Sequence, residues 1–158
     1  MKISEELRDE VVGHGASIVD WDFGGTRIKG LYCDGTIAVS TRLESSAEEN
    51  MVLAEELGHH LTCGGVILDQ SSVENRKLEA RGRVWSYNRL IGLYGLIRAY
   101  RHGCRNRYEV AELLEVPEPF VDEAVSYYRN KYGICTIVDN YVVYFDPLGV
   151  MELSSVVL

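Results

Sequence analysis

Apolar and polar positions along this chain alternate with two different periods, and the change of period marks its elements. The segment Ser4 to about Val12 carries acids in its first turn (Glu5, Glu6) behind a serine suited to capping, and it predicts a first helix ended by Gly13-His14-Gly15. His14, between two glycines, is expected in a loop. Ser17–Trp21 opens an extended segment broken by Gly24-Gly25. The clearest two-residue alternation follows: 28–33 and 36–40 flank Asp34-Gly35, a strong hairpin turn signal. The period then lengthens. Ser46-Ala47-Glu48-Glu49 has the form of a capping box, with Ser46 as N-cap, and predicts a helix from about Ala47 to Leu61 with an apolar stripe of Ala47, Leu53, Ala54, Leu57 and Leu61. A second box, Ser71-Ser72-Val73-Glu74, opens a helix that runs toward Tyr100, with Gly82, Gly92 and Gly95 as candidate kinks or breaks. Beyond it, 107–114, Glu115-Val116-Pro117 and Glu118–Tyr132 read as helix, tight turn, helix. Asp139-Asn140 between 134–138 and 141–145 predicts a closing hairpin, and an apolar tail follows.

The pattern specifies an α+β fold: a small N-terminal β-hairpin or sheet packed on a helical body, and a helical C-terminal appendage with a terminal hairpin. Its expected division is residues 1–103 and 104–158. The 158 residues, 46% hydrophobic and 25% charged, are ordinary for a globular protein. No apolar run is long enough to span a membrane and the N-terminus has no signal-peptide form, so a cytoplasmic location is expected. Cys33, Cys63, Cys104 and Cys135 are scattered with no C-x-x-C pair, and are expected to be reduced and buried.

Charge is unevenly distributed. The net charge is −8, yet residues 76–107 hold nine Arg and Lys against Glu79 alone. Internal pairing of that basic segment with acidic neighbours is the expectation, and direct binding of nucleic acid is not, because an acidic chain repels phosphate. Glu118, Asp122 and Glu123 early in the second appendage helix argue against a DNA-reading role there as well.

The candidate chemistry lies in Glu55-Glu56-Leu57-Gly58-His59, one residue away from H-E-x-x-H because Glu55 stands in the first histidine position. Positions i and i+4 share a helix face, so Glu55 and His59 can reach one ion while Glu56 stands about 100° around the axis, within reach of a metal-bound water. Glu79 is an acid on an otherwise apolar face: at about 100° per residue it lies with Leu90 and Ile97, near Tyr87 and Tyr94, and Arg83 or a metal would satisfy it. The alternative for the whole set is solvated charge with i,i+4 Glu–His pairs. Gly58 costs helix stability, up to about 1 kcal/mol against alanine, which a close approach by substrate or a neighbouring helix explains. His60, about 140° around the helix from Glu55, is not expected to ligate.

Leu53-Ala54-Glu55-Glu56-Leu57-Gly58-His59, followed by Glu79-Ala80 in an Arg- and aromatic-rich helix, resembles the ImmA/IrrE family of metallopeptidases, in particular the short versions carried by prophages and mobile elements. The resemblance covers about Gly30 to Leu96. It implies a zincin-like metallo-endopeptidase that cleaves or inactivates a helix-turn-helix transcriptional repressor. It also implies zinc held at Glu55, His59 and Glu79, with Glu56 as the catalytic general base. Glu55 is the departure. A site of two Glu and one His is harder than a His-rich one and opens it to manganese or iron. It also keeps alive a second reading, a non-catalytic antirepressor or structural interaction protein with the same fold. In peptidases of this type an edge strand beside the site holds substrate as an added strand, and Thr36, Ile37, Ala38 and Val39 are the candidates.

Overall fold

A computed structural model describes residues 1–63, apart from the Cys63 side chain, and 73–153. Within them the chain is α+β: α1 (Ile3–Gly13), β1 (Ser17–Trp21), β2 (Gly30–Cys33), β3 (Thr36–Ser40), α2 (Ser46–Cys63), α3 (Val73–Leu90), α4 (Gly92–Arg101), α5 (Arg107–Leu114), α6 (Glu118–Tyr132), β4 (Cys135–Val138), β5 (Tyr141–Phe145) and β6 (Leu148–Glu152). It separates into two compact units, Met1–Leu90 and Ile91–Leu158; the boundary expected from the sequence was residue 103. Between α3 and α4, Ile91 is distorted (φ −117°, ψ −77°) and Gly92 takes φ +63°, a left-handed conformation that glycine adopts without steric cost. The run expected to continue toward Tyr100 is therefore two helices, and Ile97 cannot be placed beside Glu79 by helical periodicity.

In the first unit a three-stranded sheet, ordered β1-β3-β2, is packed on α2. Asp34 and Gly35 both have positive φ (46° and 80°), the backbone a tight hairpin needs, and they set β2 antiparallel to β3. β1 pairs with β3 in parallel, Ser17 opposite Thr36 through Trp21 opposite Ser40. This corrects the sequence expectation for Thr36, Ile37, Ala38 and Val39. They form the central strand, hydrogen-bonded on both sides, and have no open edge to offer a substrate; β1 and β2 are the edges. Ile37 and Val39 are buried at 0% and 1% exposure; Leu7 and Val11 of α1 and Val52, Leu53 and Leu57 of α2 are buried too, and α2 packs on both α1 and β3. Leu61, assigned to the apolar stripe, is exposed, since the stripe ends before the last turn of α2.

Two helix starts differ from expectation by one or two residues. α1 begins at Ile3, with Lys2 at the N-cap, and Ser4 is buried inside it. The Glu5 carboxylate accepts from the Lys2 backbone N–H at 3.0 Å. For α2, Ser45 rather than Ser46 supplies the cap: its Oγ accepts from the Glu48 N–H at 3.1 Å, and Glu48 in turn accepts from the Glu44 N–H at 2.9 Å. Both serines have Glu three residues on, but Glu49 is held by the Arg8 guanidinium, which leaves Glu48 for the cap. The box expected at Ser71–Glu74 lies partly outside the described residues.

The second unit holds α4, α5 and α6 with a sheet ordered β4-β5-β6. The Asn106 side chain caps α5 by accepting from the Glu109 N–H, and Glu115 at φ 55° ends it before α6. Phe120, Val121, Tyr128, Leu114, Val143 and Phe145 are its innermost side chains. β6 was not anticipated; it completes the expected terminal hairpin as a third strand. Among the described residues no helix is long and apolar enough to cross a membrane.

Candidate functional site

Two glycines bring the site together. A Cβ built on Gly58 of α2 would lie 2.3 Å from the Gly82 carbonyl oxygen of α3, and one on Gly82 would lie 2.0 Å from Cδ2 of His59. The helices therefore touch backbone to backbone at this point, and the neighbouring helix, not a substrate, accounts for Gly58. The gap that Gly82 leaves is filled by the His59 imidazole.

His59 is buried at 7% exposure, between two carboxylates. Its Nδ1 lies 3.2 Å from Oε2 of Glu56, one turn back on α2, and its Nε2 lies 3.1 Å from Oε2 of Glu79 on α3. The second contact is close but off the line of a hydrogen bond, so Nε2 is enclosed without a properly directed partner. Burial, the largest single influence on this imidazole, disfavours its charged form; the carboxylates of Glu56 and then Glu79 oppose burial and prevail, pushing His59 up to about 10. Glu79 is held below the usual carboxylate range, chiefly by its contact with His59 and against partial burial, with a smaller contribution from Arg83. The Arg83 guanidinium is 3.9 Å from Oε1 of Glu79. In this form the three side chains are a buried imidazolium between two carboxylates. Glu56 also borders β2: the position of a Cβ on Gly30 would be 3.1 Å from its Oε1.

Of the sequence-predicted residues, Glu56, His59 and Glu79 are brought together. Glu55 is half-buried and does not complete a three-ligand group with His59 and Glu79. Among the described residues no group of three or more His, Cys, Asp or Glu is disposed to hold a metal ion. The pair that remains does fit one. Two donors bound about 2.0–2.1 Å from a tetrahedral ion stand about 3.3 Å apart, close to the observed separation of Nε2 and Oε2, and Nε2 has no competing hydrogen bond.

His60 is committed elsewhere, as its position on the helix suggested. Its Nδ1 is 2.9 Å from the Tyr32 hydroxyl and its Nε2 is 3.0 Å from the His14 carbonyl oxygen. This fixes the ring between β2 and the loop after α1, and gives His14 a backbone role. Sequence reading missed Tyr32 and Gly82. Tyr32 is legible only once β2 is known to lie over α2, although Gly82 in mid-helix was a signal of the same kind as Gly58. The cysteines depart from expectation: Cys33 and Cys135 are exposed and Cys104 is intermediate. Compared with known proteins, the chain matches no family model and no curated relative.

Proposed function

We propose that this chain is a metal-dependent endopeptidase acting on a helix-turn-helix repressor, with His59 and Glu79 as two protein ligands and Glu56 as general base. The observation that carries the reading is the pair His59 Nε2 and Glu79 Oε2, 3.1 Å apart, with Nε2 enclosed and lacking a directed hydrogen bond. Zinc is the expected ion, with manganese or iron as alternatives for so hard a donor set; the resemblance to ImmA/IrrE peptidases supplies Glu55 as third ligand. When bound, such an ion polarises a scissile carbonyl and lowers the pKa of water. The residues do the rest. With an ion bound, His59 would release its Nε2 proton to solvent, and Glu56, freed from His59 Nδ1, would accept a proton from the water whose oxygen adds to the scissile carbonyl carbon and would pass that proton to the amine nitrogen as the C–N bond breaks. The open edge of β2, next to Glu56, replaces β3 as the strand on which an extended substrate would align.

A second reading, a non-catalytic antirepressor with the same fold, is favoured by one observation. Glu56 is engaged with His59 Nδ1 and the Glu56–His59–Glu79 set is electrostatically satisfied without an ion. Elemental mass spectrometry of natively purified protein separates the two. About one metal per chain, retained in Glu56→Gln and lost in His59→Ala and Glu79→Ala, is the expected result, and Glu55→Ala decides whether the third ligand that the resemblance implies takes part. No metal after incubation with zinc and manganese overturns the peptidase reading in favour of the second.

A further inference from the structure

The basic segment is only partly neutralised from within. Arg89 pairs with Glu10 and Glu6, Arg105 with Glu109, Arg107 with Asp122, and Arg83 distantly with Glu79. Arg76, Lys77, Arg81, Arg98 and Arg101 are exposed and have no ion-pair partner among the described residues. At about 100° per residue, Arg76 and Arg83 lie three residues before and four after Glu79 on nearly the same side of α3, and so flank the carboxylate that faces His59. Lys77 and Arg81 are turned more than about 100° further round. Arg83 keeps 46% of its side chain exposed, since 3.9 Å to a carboxylate already engaged with His59 claims little of it.

We infer that Arg76 and Arg83 are a specificity element, a pair of cationic posts that receive an acidic segment of the protein substrate beside the Glu56–His59–Glu79 site. The inference rests on the endopeptidase reading and names the class of substrate it takes. Seven residues of helix span about 10 Å, the length of about three residues of extended chain. Because an extended strand turns odd and even side chains to opposite faces, the matching segment is polyproline II-like, about 9 Å per turn of three residues, in which two acids three positions apart share the face that meets the posts. The complementarity selects protein over nucleic acid: residues 76–107 carry a net charge of +8 and the rest of the chain −16. A duplex meeting this helix meets that repulsion too, whereas a short acidic segment spans only the posts.

Fluorescence anisotropy at about 150 mM salt, near a Debye length of 8 Å, tests this on the full chain. The probes are a labelled peptide with Glu at every third position, its Gln counterpart, and a 20-base-pair duplex (lengths of about this order suffice to cover the helix). Expected is binding of the Glu peptide over both others. Arg76→Gln/Arg83→Gln should weaken it about fivefold or more and Lys77→Gln/Arg81→Gln less than about twofold. Equal loss in the two double variants, no binding of the Glu peptide, or preference for the duplex overturns the inference. Metal content of the same preparations reports on the endopeptidase reading separately, so failure of the posts and failure of the site are distinguishable.

Discussion

Gly58 and His59 are adjacent, and each depends on the same backbone contact. Alanine at 58 would gain helix propensity, up to about 1 kcal/mol, but its Cβ would meet the Gly82 carbonyl, which has no rotamer to yield. The overlap dominates, and Gly58→Ala should lose about 1–3 kcal/mol net, read as a lower midpoint in urea with unchanged slope. His59 sets a pH dependence. Its folded pKa, about 10, is above the ordinary 6.5, so the folded state binds the proton more tightly than the unfolded one. The stabilisation is complete below about pH 6.5 and is lost as pH rises toward 10. Glu79, shifted downward, acts in the opposite sense: its share is present above the usual carboxylate range and is lost in acid. Metal-free protein should therefore melt at falling temperatures from pH 6.5 to 9.5, and His59→Gln should flatten the slope. A slope unchanged by that substitution would remove His59 from the account.

At the scale of elements, competition among local signals decides the details. Ser45 and Ser46 each satisfy the same capping pattern, and the Arg8–Glu49 contact between α1 and α2 breaks the tie. Ser45→Ala is expected to cost about 1 kcal/mol in denaturant titrations, and Ser46→Ala only a few tenths. Equal costs would mean that both serines share the cap in solution. The same kind of contest ends α3: a helical pattern continues across residue 91, yet Gly92 at positive φ stops it. Helix propensity weakly favours continuation, and the glycine removes the penalty for leaving.

For the whole molecule, each unit has its own core, with Leu53 and Leu57 in the first and Phe120 and Tyr128 in the second, all at or below 1% exposure. Phe120→Ala should destabilise residues 91–158 by about 3–5 kcal/mol. Hydrogen exchange is expected to show the loss in α5 and α6 while α2 amides around Leu53–Leu57 keep their protection. Loss spread evenly over both units would instead mean that the chain unfolds as one.

The sequence by itself determined what local chemistry can determine. Asp34-Gly35 and Asp139-Asn140 placed both hairpin turns; the i,i+4 spacing placed Glu55 and His59 on one helix; Glu115-Val116-Pro117 marked the end of α5. Tertiary structure decided what depends on residues distant in the chain. It made β3 central, because β1 arrives in parallel along its far side. It set His59 Nε2 against Glu79, because Gly58 and Gly82 let two backbones meet. Among the described residues it brought no third His, Cys, Asp or Glu into a metal-holding group with His59 and Glu79, and it fixed His60 between Tyr32 and His14. Spacing along one helix states which side chains share a face; only the packing of a second helix or a sheet on that face selects which of them meet a partner, since that choice is made by non-local burial and steric fit rather than by backbone periodicity.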